Sequence, residues 1–99
     1  MVYELGPDEF GNEPADAVWT VTHYTYEYWE GWGEMVSLLP GGILEIRNLS
    51  HCSCNDPMDN DGDCVSVEKY LEDRGSVVSY ISNEHVDSKV FELLSGGVE

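Results

Sequence analysis

Lysine and arginine are nearly absent from this sequence. Four of its 99 residues, Arg47, Lys69, Arg74 and Lys89, carry such a side chain, against 20 Asp and Glu, for a formal charge of −16. Phosphate backbones are bound through Lys and Arg, so DNA and RNA are excluded as ligands. Residues 1 to 46 contain nine acids and no Lys or Arg at all. Long apolar runs are missing too: none exceeds about three residues, far below the roughly 20 that a membrane helix needs. No basic-then-apolar leader opens the chain, and the expected compartment is the cytoplasm. P-loop, nucleophile elbow, dinucleotide fingerprint and paired acid–base motifs are also lacking. His23, in a strand-like stretch, and His85, at the start of a helix-like one, suit hydrogen-bonded structural roles. No enzymatic activity is expected.

What the chain does have is enough to fold. Apolar residues make up 41 %, and three Trp, six Tyr and two Phe supply large buried areas. The length is that of one domain with a modest core. A net charge this far from zero opposes compaction and costs stability. The acids therefore read as a recognition surface for a basic partner, with solubility or salt adaptation as the plainer alternative.

Residues 1–16 hold two prolines, two glycines and five acids and are expected to form an extended arm. In "AVWTVTHYTYEYWEGWGE", from Ala17, the β-branched and aromatic residues predict a strand with both faces partly covered. Gly31 and Gly33, on either side of Trp32, predict a turn or bulge. "EMVSLL" reads as a second strand, Pro40-Gly41-Gly42 as a type II turn, and "ILEIRNL" as a third strand. Later the spacing becomes helical, through Val67, Tyr70, Leu71 and Arg74 to Gly75, and again through Val86, Val90, Phe91, Leu93 and Leu94 to Gly96-Gly97. "SVVSYI" fits either strand or helix. The expected fold is α+β, a small antiparallel sheet of about three strands against two or three C-terminal helices. Its parts are the arm 1–16, the sheet 17–49, an acidic cysteine-rich loop 50–64 and a helical segment 65–95.

All three cysteines lie in "LSHCSCNDPMDNDGDC", residues 49–64. His51, Cys52, Cys54 and Cys64 form a Cys₃His set of the kind that holds structural zinc. The C-x-C spacing departs from the usual C-x₂-C, and His51 directly beside Cys52 strains such a site; His23 or His85 is the alternative fourth ligand. A disulfide from Cys52 or Cys54 to Cys64 leaves an odd thiol and conflicts with a reducing compartment. Catalysis by a cysteine beside a histidine lacks an orienting Asn or Asp. The simplest reading makes Cys52 and Cys54 small buried hydrophobes in a turn. "DPMDNDGD" ahead of Glu68 matches part of an EF-hand loop. With Gly62 at the sixth position, Asp59, Asp61 and Glu68 take the third, fifth and twelfth, but Pro57 and Val65 occupy the first and ninth. That pattern leaves room for weak calcium binding only.

The run "VWTVTHYTYEYWEGWGE", a hairpin, then "LSHCSC" and an acidic loop resemble a group of small acidic phage-encoded proteins. The group is marked by a Leu-Gly-His-Cys-Ser-Cys segment followed by Gly-Pro, with a helical C-terminus. The likeness covers residues 18–72 and is carried chiefly by His51-Cys52-Ser53-Cys54; Ser50 stands in place of the Gly, and "NDP" where the group has an aromatic and Gly-Pro. It implies a phage origin and a host-cell cytoplasm. Very acidic phage proteins of this size are often inhibitors of restriction enzymes, CRISPR effectors, polymerases or nucleoid proteins. Duplex DNA carries about one charge per 1.7 Å of axis, and a domain with carboxylates along one edge can fill the basic groove made for it. The expected function is thus non-enzymatic nucleic-acid mimicry by a monomer or homodimer. Candidates for the edge are Glu27, Glu30, Glu34 and Glu45 at the sheet end and Asp56, Asp59, Asp61 and Asp63 in the loop. Trp29 and Trp32 are candidate anchors, although tryptophans in a small sheet are more often core. The competing expectation is a small adaptor stabilised by zinc or calcium.

Overall fold

The computed structural model describes residues 2–6, 13–51, 62–75 and 80–96. Strand β2 (Trp19–Glu27) runs antiparallel to β3 (Glu30–Leu39), β3 to β4 (Ile43–His51), and β4 to β5 (Gly62–Ser66). At the other edge β1 (Val2–Glu4) lies parallel to β2, giving the order β1-β2-β3-β4-β5. The expected three-stranded antiparallel sheet is therefore corrected to a mixed sheet of five strands. One edge strand comes from the expected arm and the other from the end of the cysteine-rich segment. The first, three residues long, is too short for the alternation by which strands are read, and the second, Gly-Asp-Cys-Val-Ser, has a single strong strand former among five residues. The helical complement is also smaller than expected. Helix α1 (Val67–Glu72) has six residues and runs into a 3-10 turn, Asp73–Gly75, so among the described residues only α2 (Glu84–Leu94) lies at the C-terminal end.

The turns follow from local chemistry in one case and against it in the other. Between β3 and β4, Gly41 has φ +94° and the Gly42 amide donates to the Leu39 carbonyl at 3.2 Å. This is the type II geometry that Pro40-Gly41 favours. Between β2 and β3 the turn is not at Gly31 and Gly33, as the sequence suggests, but at Tyr28-Trp29, with Glu27 paired to Glu30. Both glycines are inside β3 because a side chain has no room there. A Cβ on Gly33 would run into the His23 carbonyl and lie 2.7 Å from the Tyr24 ring; one on Gly31 would lie 2.9 Å from that same ring. Tyr24 is folded flat over the bare backbone and fully buried, so an aromatic ring supplies the contact that the glycines lack.

Strand alternation then sorts the sheet into two faces. The helix face carries Trp19 and Val21 of β2, Val36 of β3, Leu44 and Ile46 of β4 and Val65 of β5, packed against Tyr70, Ile81, Val86, Val90 and Leu93. The α2 residues recur at i, i+4 and i+7, one stripe of a helix. Its first turn is capped by the Asn83 side chain, which accepts from the amides of His85 and Val86 at 2.9 and 3.0 Å. The opposite face holds a smaller cluster of Tyr24, Met35 and Leu49, beside a buried hydroxyl pair, Thr20 and Ser37, 2.9 Å apart.

Candidate interaction surface

The helices cover only one end of their face of the sheet. Past Val21, Val36 and Ile46 the strand register continues through three further ranks on the same face. These are His23, Glu34 and Asn48; then Thr25, Trp32 and Ser50; and last Glu27 with Glu30 at the tip. In the last two ranks Trp32, Ser50, Glu27 and Glu30 are all exposed, Trp32 at 48 %. The turn beyond them is more open still, with Tyr28 at 89 % and Trp29 at 64 %, their ring centroids 5.9 Å apart.

Several choices at this tip oppose the fold. Glu27 and Glu30 are directly opposite each other, and like charges in that position destabilise a strand pair. Tyr28 has φ 61°, a left-handed conformation that costs a residue with a side chain roughly 1–2 kcal/mol; Asn or Gly would hold the turn without that cost. Three large aromatic side chains, Tyr28, Trp29 and Trp32, face solvent in the same small area. Such local conflicts concentrate at functional sites.

The sequence-based candidates divide among several places. Glu27, Glu30, Trp29 and Trp32 are gathered at the tip, and the two tryptophans are surface residues, with Trp19 the core one. Glu34 shares their face but is only 5 % exposed. Its carboxylate accepts from the backbone amides of Ser82 and Asn83 at 2.8 and 3.0 Å, joining β3 to the start of α2. Glu45 is on the opposite face, 3.1 Å from the Arg47 guanidinium, and so is removed from the edge to which the sequence assigned it. Asp63 is exposed on β5, while Asp56, Asp59 and Asp61 lie outside the described residues.

The zinc candidates are only partly in view. His51 ends β4 with its Nδ1 2.5 Å from the Tyr24 hydroxyl and its ring stacked on Tyr24 at 5.8 Å. Cys64 is an exposed free thiol on β5, whereas Cys52 and Cys54 lie outside the described residues. Among the described residues no group of three or more His, Cys, Asp or Glu could hold a metal. Sequence reasoning gave His23 only a structural role or a place as an alternative zinc ligand, and it missed Asn48, which no motif distinguishes, and Tyr28. No local signal pointed to Tyr28, which reads as part of the same strand-like run as its neighbours.

Cations do little to offset the acids near this surface. Arg47, Arg74 and Lys89 are already paired, with Glu45 at 3.1 Å, Asp87 at 2.6 Å and Glu92 at 3.7 Å. None of these acids belongs to the exposed ranks. No family model matches the chain, and neither a search of curated proteins nor one of solved structures finds a match. No described helix is long and apolar enough to cross a membrane.

Proposed function

We propose that this protein is a non-enzymatic, phage-encoded mimic of nucleic acid that blocks a basic, nucleic-acid-binding protein of the host or of its defence machinery. The observation that carries the reading is the β2–β3 tip, where two unneutralised carboxylates face each other beside exposed Tyr28, Trp29 and Trp32. Carboxylates without internal cations supply the potential that steers a basic partner. Exposed Trp and Tyr supply the desolvated contacts that dominate binding energy. Spending stability on like charges and a strained turn fits a surface selected for something other than the fold.

The test is capture from a bacterial lysate on immobilised protein, followed by elution with duplex DNA. A basic nucleic-acid-binding protein should be retained by the wild type, released by DNA and lost with Trp29→Ala. Retention that DNA does not disturb, or that Trp29→Ala leaves intact, contradicts the proposal.

A further inference from the structure

Between the tip and the helices the sheet opens into a cavity of about 390 Å³, lined by His23, Trp32, Glu34, Asn48, Ser82 and Asn83. That volume is at the small end of ligand sites, right for one side chain or a small polar group. Among the lining residues Glu34 is more than nine-tenths buried. Two backbone amides occupy one acceptor position on each carboxylate oxygen, and a carboxylate offers about four. No Lys or Arg among the described residues pairs with it. His23 stands directly across from Glu34 in the strand register, and the acceptor positions that the two amides leave on the carboxylate can be taken by a cationic donor from outside. Trp32 forms an aromatic wall, and the Asn48 amide stands beside Glu34 on the next strand.

We propose that this cavity receives an arginine side chain of the basic partner; the inference rests on the function proposed above. The guanidinium is flat, weakly hydrated and rich in donors, so it can stack on the Trp32 indole while donating to Glu34 and to the Asn48 side-chain oxygen. An ammonium is a compact and strongly hydrated charge, and gains less from an aromatic wall. Phosphate and carboxylate ligands are rejected by the Glu34 carboxylate in the lining and by the net charge of −16. The cavity shares the Trp32 wall with the tip, so one partner surface can engage both.

Acetyl-arginine amide serves as the probe, with acetyl-citrulline amide as its neutral isostere, followed at the Trp32 indole N–H by two-dimensional NMR. The arginine probe should shift that resonance saturably at roughly millimolar concentration, as suits one small contact. Citrulline should bind about tenfold more weakly, a difference typical of a lost charge-assisted hydrogen bond. Asn48→Ala should weaken the arginine probe by about fivefold or more. Asn48 is exposed, so its variant keeps the fold, whereas Glu34→Gln also disturbs the contact to Ser82 and Asn83. No saturable shift at Trp32, an equal response to citrulline, or indifference to Asn48→Ala overturns the cavity assignment. A shift confined to the Trp29 indole overturns it too, and leaves the proposed function standing with the cation at the tip. Conversely, a seated arginine probe together with captured partner that DNA fails to release overturns the proposed function and not the guanidinium site.

Discussion

At Gly33 a single methyl group would meet the His23 carbonyl and the Tyr24 ring at once, and neither is the loose end of a flexible side chain. Gly33→Ala should therefore cost about 2–3 kcal/mol, the range of overpacked interiors, measured by urea denaturation. A loss below about 0.5 kcal/mol would mean that Tyr24 does not lie flat over β3. Tyr70 makes a second residue-scale case. Burial, and then the Asp87 carboxylate to which its hydroxyl donates, raise its pKa well above the ordinary phenol value. Below about pH 10 both folded and unfolded forms keep the proton, and the contribution of this group is fully present. As pH rises further, the unfolded chain loses its proton first, so stability falls by up to about 1.4 kcal/mol per pH unit. Tyr70→Phe should lower stability near neutral pH and flatten this alkaline decline by about one proton, read from denaturation curves between about pH 10 and 12.

The β2–β3 hairpin is the element in which fold and proposed function compete. Glu30→Lys turns a repulsive cross-strand pair into an attractive one and should raise stability by about 0.5 kcal/mol. The same substitution should weaken capture of the partner. Trp29→Ala should change stability by no more than about 0.5 kcal/mol, as for other exposed sites, yet weaken partner binding roughly 30-fold or more. Paired melting and binding measurements on these variants distinguish a recognition surface from a structural one, since a structural role predicts loss of stability in both. This hairpin also marks where the sequence stopped being legible. Pro40-Gly41 announced its turn because both residues have backbone preferences of their own. Tyr28-Trp29 did not, since neither residue favours a turn, and Gly31 and Gly33 drew attention to the wrong place. Their true reason is a ring packed across the strand, a contact that no local pattern encodes. The helix stripe Val86, Val90 and Leu93 and the exposed acids Glu27 and Glu30 were legible for the opposite reason, because period and charge are written in the residues themselves. Glu34 looked like its neighbours, and only tertiary contact with Ser82 and Asn83, 48 and 49 residues away, separates it from them.

For the whole molecule, the charge of −16 acts on the fold as well as on partners. Three of the four cations are already engaged, leaving the exposed acids of the β2–β3 tip, β1, β5 and the two helices to repel one another. Screening shortens to about 8 Å at 0.15 M ionic strength and about 3 Å at 1 M. The melting temperature should therefore climb steadily as sodium chloride is raised from low to molar concentration. A flat profile would mean that the carboxylates are too dispersed to interact, and dispersed carboxylates make a poor imitation of a nucleic acid. The five-stranded sheet supplies a rigid base for the tip. Its larger core cluster, from Trp19 to Leu93, lies at the end of the sheet away from the exposed ranks, and the smaller cluster of Tyr24, Met35 and Leu49 backs the inner ranks from the opposite face. Recognition and stability can thus be altered by different substitutions.

The most direct test of the account is the association rate of the captured partner as a function of ionic strength. Steering by an uncompensated acidic surface gives rates up to about 10⁸ M⁻¹s⁻¹ or more at low salt, well above the roughly 10⁵–10⁶ M⁻¹s⁻¹ of neutral encounters. The rate should fall steeply and continuously toward molar salt, and Glu30→Lys should lower the low-salt value. A rate that is the same at 0.05 M and 1 M sodium chloride would contradict the claim that negative potential at the β2–β3 tip is what this protein presents to its partner.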